Sequence, residues 1–118
     1  MAAVIVSERQ SGPVTILDLE GDVTSGEGTA TLRSETRRLL AEGRVRIVLN
    51  FAGVRYVDSS GLGEMVAAQL AARMGGGRVA LGLSSNVREV FEMTRLVQVF
   101  DIYEDEPGAL RGMTAGRD

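Results

Sequence analysis

Val45-Arg46-Ile47-Val48-Leu49-Asn50-Phe51, the spacer Ala52-Gly53, then Val54-Arg55-Tyr56-Val57-Asp58-Ser59-Ser60-Gly61-Leu62-Gly63-Glu64 decide how this chain folds. Ile47, Val48 and Leu49 are consecutive apolar residues, which suits a strand buried on both faces, as in the middle of a parallel sheet. Ala52-Gly53 is expected to turn the chain, with Val54 to Val57 leading to Asp58. Beyond Asp58 the period changes. Leu62, Met65, Val66, Gln69, Leu70 and Arg73 recur at helical spacing, and Gly75-Gly76-Gly77 stops them. The stretch therefore reads as strand, glycine-rich connection, helix.

Working outward, Val4 to Arg9 and Val14 to Leu19 are β-rich runs joined by the turn composition Ser11-Gly12-Pro13, an expected hairpin. Gly21 to Gly28 reads as a loop. A helix follows with Leu32, Thr36, Leu39 and Leu40 on its apolar side and Arg33, Glu35, Arg37 and Arg38 facing solvent. Arg78 to Leu83 is a fourth strand. Ser84-Ser85-Asn86 supplies caps for a short helix with Val87, Val90, Phe91 and Thr94 inward. Val97 to Ile102 is a fifth strand. Glu104-Asp105-Glu106-Pro107 marks the start of a last helix near Gly108 to Met113. The order β-β-α-β-α-β-α-β-α predicts an α/β domain with a small mixed sheet of about five strands and about four helices. At 118 residues, without a repeat or linker, the chain is expected to be a single domain with an ordered core over about 4–111 and a frayed tail over 114–118.

Composition narrows the chemistry. With no cysteine and no histidine, thiolate nucleophiles, disulfides, Ser-His pairs and Cys/His metal sites are excluded. A net charge of −3 and 4% aromatic residues suit neither a phosphate-backbone footprint nor base stacking, so no nucleic-acid partner is expected. No apolar run approaches the roughly 20 residues of a membrane span, and the N-terminus lacks a basic signal region. A cytoplasmic protein with no cofactor, metal or membrane partner is the expectation. Glu20, Asp22 and Glu27 form an acidic stretch that reads as solvated, since a hard-metal site needs several converging oxygens. Gly75 to Gly77 follows a helix instead of opening one, so it is a cap, not a phosphate cradle.

Chemistry concentrates in Asp58-Ser59-Ser60-Gly61-Leu62-Gly63-Glu64. Asp58 or Ser59 can cap the helix by accepting its orphan N–H groups, and local spacing alone favours that plain role. Ser60 falls in the first turn, where the glycines leave its hydroxyl reachable. A phosphate there meets the positive end of the helix dipole and adds about −1.5 to −2 charges to the surface. Glu64, four residues on, is expected to add a negative charge on the same face. The motif lacks the G-x-x-x-x-G-K and G-x-S-x-G patterns of phosphate loops and nucleophile elbows.

From about Val4 to Leu110 the chain resembles the STAS domain family, and most closely the bacterial anti-sigma factor antagonists. The resemblance is carried by Val48-Leu49-Asn50-Phe51, the run Val57 to Gly63, and Val87-Arg88-Glu89-Val90-Phe91-Glu92-Met93-Thr94, similar to the family's third helix. It implies a mixed sheet with helices packed mainly on one side, and a non-enzymatic partner switch. On that implication Ser60 is phosphorylated by a serine kinase that is also the anti-sigma factor. The unphosphorylated protein binds the kinase and frees the sigma factor; the phosphorylated protein is released, and a serine phosphatase resets it. Asp58, Ser59, Ser60, Gly61, Leu62, Gly63 and Glu64, with Thr24 and Ser25 from the preceding loop, are the expected partner-binding residues. A monomer is the simplest expectation. The alternatives are a STAS scaffold or subunit of a stressosome-like or lipid-transport assembly without a phospho-switch, and a small enzyme with an unrecognised carboxylate site.

Three positions depart from the family pattern. Thr24 replaces an aspartate that often follows the second strand, in a loop about a residue longer. Glu64 stands where an aliphatic residue is common. Arg95 stands where glycine often ends the third helix, and is expected to take a left-handed conformation at some cost.

Overall fold

In the computed structural model the described residues are 4–24, 26–83, 85–93, 95, 100–103 and 106–115. Five strands, β1 (Ile5–Ser11), β2 (Val14–Val23), β3 (Arg46–Val57), β4 (Arg78–Leu83) and β5 (Asp101–Tyr103), alternate after the first hairpin with α1 (Glu27–Ala41), α2 (Ser59–Met74), α3 (Ser85–Met93) and α4 (Glu106–Ala115). The sheet order is β1-β2-β3-β4-β5. β1 and β2 are antiparallel, with Ile5 opposite Glu20 and Ser11 opposite Val14. The remaining pairs are parallel.

Both faces of the sheet are covered, which explains the unbroken Ile47-Val48-Leu49 run. Leu17, Leu19, Ile47, Leu49, Phe51, Val79 and Leu81 turn to one face and bury Leu32 and Leu39 of α1, Met65, Ala68 and Ala72 of α2, and Val87 and Phe91 of α3. Val14, Ile16, Val48 and Ala80 turn to the other and meet Ala109 and Met113 of α4. The helices thus pack mainly on one side, as expected: three share one face, and the fourth lies across the opposite one.

That helix packs Ala109 and Met113 on the sheet and is also held by its ends. Arg9 bridges Asp18 of β2 and Glu106 at its start, at 2.6 and 2.7 Å. At its end Arg46 donates to the Met113 carbonyl at 3.1 Å and Arg78 to that of Gly112 at 2.6 Å, satisfying acceptors that a helix terminus leaves open. It runs two residues past the expected Met113; Gly116 to Asp118 lie outside the described residues.

Four sequence expectations are corrected. Gly21 to Val23 belong to β2, so the loop shrinks to Thr24–Gly26. Ala52-Gly53 is a bulge inside a continuous β3, because Glu20 pairs with Gly53 while Asp18 pairs with Asn50. The Asn50 side chain accepts the Ala52 N–H at 3.1 Å and donates to Asp18, giving the interrupted ladder replacement bonds. The α2 face is rotated: Met65, Ala68, Gln69 and Ala72 are inward, Leu62 and Val66 half-buried, and Leu70 is 57% exposed. Small Ala68 and Ala72 let the helix approach the sheet, and buried Gln69 pairs with both backbone groups of Val79, at 3.0 and 2.8 Å. β5 starts at Asp101; Val97 to Val99 lie outside the described residues. Val87 and Phe91 are inward as expected, while the side chains of Val90 and Thr94 fall outside the described set. Arg95 adopts the left-handed conformation, φ 63°, expected from its standing where the family often has glycine.

Candidate functional site

The parallel connections bring the C-terminal ends of β2 and β3 and the N-termini of α1 and α2 to one edge of the domain. Open α/β sheets commonly place ligand sites at this edge. The Asp58 N–H donates to the Val23 carbonyl at 3.2 Å, tying the start of α2 to the end of β2. Gly61 is required here. A side-chain carbon added to it would lie 2.7 Å from that carbonyl oxygen and 2.9–3.0 Å from the Val23 and Val57 side chains.

Asp58 is the N-cap of α2, and its Oδ1 accepts the Gly61 N–H at 3.0 Å. Between the two cap candidates the structure selects Asp58. Ser59 and Ser60 occupy the first turn and are exposed. The Ser60 hydroxyl donates to Asp58 Oδ1 at 2.6 Å. It also lies 2.8 Å from the hydroxyl of Thr29 in the first turns of α1. Thr29 in turn donates to the Thr24 carbonyl at 3.0 Å, and its N–H donates to the same oxygen at 2.9 Å.

Three oxygen–oxygen contacts therefore share two hydroxyl protons. The carboxylate has no proton to offer, so Ser60 must donate to it. The Thr29 proton then serves either Ser60 Oγ or the Thr24 carbonyl. The arrangement holds the exposed Ser60 Oγ with its proton on a carboxylate.

One helical turn deeper, Arg33 and Glu64 repeat the pairing. Arg33 Nε donates to Glu64 Oε1 at 2.8 Å; the Glu64 side chain is 10% exposed and that of Arg33 48%. The exposed negative charge expected at Glu64 is corrected: the carboxylate is buried between α1 and α2 and neutralised by an arginine expected in solvent. Among the motif residues, Ser59, Ser60 and Gly63 are exposed, Asp58 and Leu62 half-buried, and Gly61 and Glu64 buried. Thr24 is half-buried and joins the site through Thr29; Ser25 lies outside the described residues.

Sequence reasoning passed over Thr29, Arg33 as a site residue, and Tyr56. Tyr56, 64% exposed at the end of β3, carries the Arg55 guanidinium 5.9 Å from its ring centroid. Arg55 also reaches Asp22 at 3.4 Å. An exposed tyrosine in a chain with so few aromatics was the available signal for Tyr56. Among the described residues no cluster of acidic side chains suited to a metal ion forms, and no helix is long and apolar enough to cross a membrane.

A family profile described as Mlab, STAS domain matches residues 6–102. The chain belongs to the STAS domain family. Solved structures share this STAS fold at low sequence identity. An anti-sigma factor antagonist from Mycobacterium paratuberculosis superposes with a TM-score of 0.82 at 14% identity, covering 95% of each chain. A putative anti-sigma factor antagonist from Thermotoga maritima gives 0.81 at 23%, over 92% of this chain and 94% of that one. The Bacillus protein SpoIIAA in its phosphorylated form gives 0.70 at 20%, over 91% and 98%. No curated protein matches the chain in sequence.

Proposed function

We propose that this STAS domain is an anti-sigma factor antagonist, a non-enzymatic cytoplasmic partner switch controlled by phosphorylation of Ser60. The observation that carries the reading is the Ser60 hydroxyl: exposed in the first turn of α2 and oriented by the 2.6 Å bond to Asp58. The N–H groups of that turn and the helix dipole accommodate a phosphate without loss of the fold. Around it, Ser59, Gly63, Leu62 and Thr24 offer a surface of mixed polar and apolar groups, as protein interfaces do. Unphosphorylated, this surface of the monomer binds an anti-sigma serine kinase. The added charge of about −1.5 to −2 expels that partner, and a serine phosphatase restores binding. Support also comes from the fold neighbours described as anti-sigma factor antagonists, one of them known in a phosphorylated form.

A STAS subunit of a larger assembly, with no phospho-switch, is the second reading. It is favoured by the family profile, whose description is Mlab. One experiment separates the two. The protein is incubated with ATP and the anti-sigma kinase encoded nearest its gene, the phosphate is located by mass spectrometry, and binding is followed by calorimetry. The switch requires incorporation at Ser60, none in Ser60→Ala, and weakened kinase binding by Ser60→Asp. Phosphate at Ser59, or a Ser60→Asp protein that binds as tightly as the parent, would falsify it.

A further inference from the structure

We infer that Arg33 is the receptor for the phosphate on Ser60, held in position by Glu64. The inference rests on the reading that Ser60 becomes phosphorylated, and it adds where the phosphate goes.

α1 and α2 run parallel, and they touch along one seam. On α1 the seam residues are Thr29 and Arg33; on α2 they are Ser60 and Glu64. Each pair is spaced i, i+4, so the Thr29–Ser60 rung stands one turn above the Arg33–Glu64 rung, with side-chain origins about 6 Å apart along each helix. Helical side chains lean toward their own N-terminus. For Arg33 and Glu64 that direction is toward Ser60.

Glu64 fixes the arginine. Its carboxylate takes Nε alone, and among the described residues no hydrogen bond is made by the two Nη groups. The side chain that carries them is 48% exposed. A guanidinium with Nε anchored and both Nη groups open presents the two-pronged edge that binds phosphate oxygens. Glu64, an acid where an aliphatic residue would serve packing equally well, is thus a positioning residue.

Phosphorylation itself selects this direction. Ser60 Oγ loses its proton on becoming an ester oxygen, so its bond to Asp58 is lost and two anions are left in contact. The phosphate must leave Asp58. The α1 side offers the Thr29 hydroxyl and Arg33, while Glu27, the acid in the first turn of α1, is exposed. The phosphate therefore lies along the α1–α2 seam and not free in solvent.

Phosphoserine placed at position 60 during translation makes the test independent of any kinase. The second ionisation of that phosphate is followed by phosphorus NMR against pH. The charges around it are Asp58, Glu64, Glu27 and Arg33. Direct loss of Arg33 would strand the Glu64 charge, so the comparison uses Glu64→Gln against Glu64→Gln/Arg33→Gln, both neutral at position 64. Arginine favours the dianion, so removing it is expected to raise the phosphate pKa by about half a unit. Arg33→Lys in the Glu64→Gln background is expected to recover part of that shift. Equal phosphate titrations with and without Arg33, in proteins with matching circular dichroism, would overturn the assignment. That outcome leaves the switch itself standing, since kinase action and release are read separately; conversely, a failure of the kinase to modify Ser60 leaves the titration unaffected.

Discussion

Removing Arg33 and removing Glu64 break the same 2.8 Å ion pair, but they are expected to cost very different amounts. The Glu64 side chain is 10% exposed and that of Arg33 48%. In Arg33→Met the carboxylate stays between α1 and α2 with its partner gone. Stranding a fully buried charge costs about 3–5 kcal/mol, and the remaining access to water reduces this to about 2–3 kcal/mol here. In Glu64→Met the guanidinium is left half in water and rehydrates, while the methionine thioether fills the seam. That change is expected to fall within about 1 kcal/mol of zero, in either direction. The double variant should resemble Glu64→Met, so the cycle should return a coupling of about 2 kcal/mol. Urea unfolding followed by far-ultraviolet circular dichroism measures all four proteins, with equal m-values required before midpoints are compared. Equal destabilisation by the two single substitutions would refute the reasoning, because it would mean that burial of Glu64 carries no penalty.

Gly61→Ala is expected to cost about 1–3 kcal/mol, because the new carbon meets the Val23 carbonyl and the Val57 side chain; a thermal melt indistinguishable from the parent's would contradict the packing. Arg95→Gly is expected to stabilise by about 1 kcal/mol, since φ 63° strains any residue with a side chain. For a domain of this size that is a rise of about 4 °C in Tm by calorimetry. Hydrogen bonds from Arg9 hold the Asp18 and Glu106 carboxyls below their usual range. Depressed carboxylates stabilise the fold above their unfolded-state values and lose that contribution as pH falls through the folded ones. Arg9→Met should therefore flatten the loss of urea resistance below about pH 5, and identical profiles for parent and variant would count against the clamp.

How much could be read in advance follows from how local each signal is. β4 was legible to the residue because Gly75 to Gly77 and the Ser84 cluster bracket it, and the cap of α2 was narrowed to Asp58 or Ser59 because a cap needs only its own helix. Arg95 was legible through the resemblance, which places a glycine where the third helix ends. The continuity of β3 through Gly53 was not. It depends on Asn50 turning back to Ala52 and on a glycine fitting beside Glu20, where a side-chain carbon would lie 2.8 Å from Cγ. Thr29 and Arg33 were missed as site residues for a related reason. Each meets its partner 31 positions away, and helical periodicity says which side of α1 faces inward without saying which rung meets which. The face of α2 was misjudged because a leucine outside, with alanines in its place against the sheet, contradicts hydropathy.

The rung geometry has a consequence for reading other chains. Two parallel helices in register turn a contact in space into a pair of spacings, a hydroxyl and an arginine four apart in one helix, a serine and an acid four apart in the next. The dependence runs one way, since the buried acid needs the arginine while the half-exposed arginine tolerates loss of the acid. Chains of this fold with an acid in the place of Glu64 should then carry the arginine opposite, and those that keep both should carry a serine one turn above.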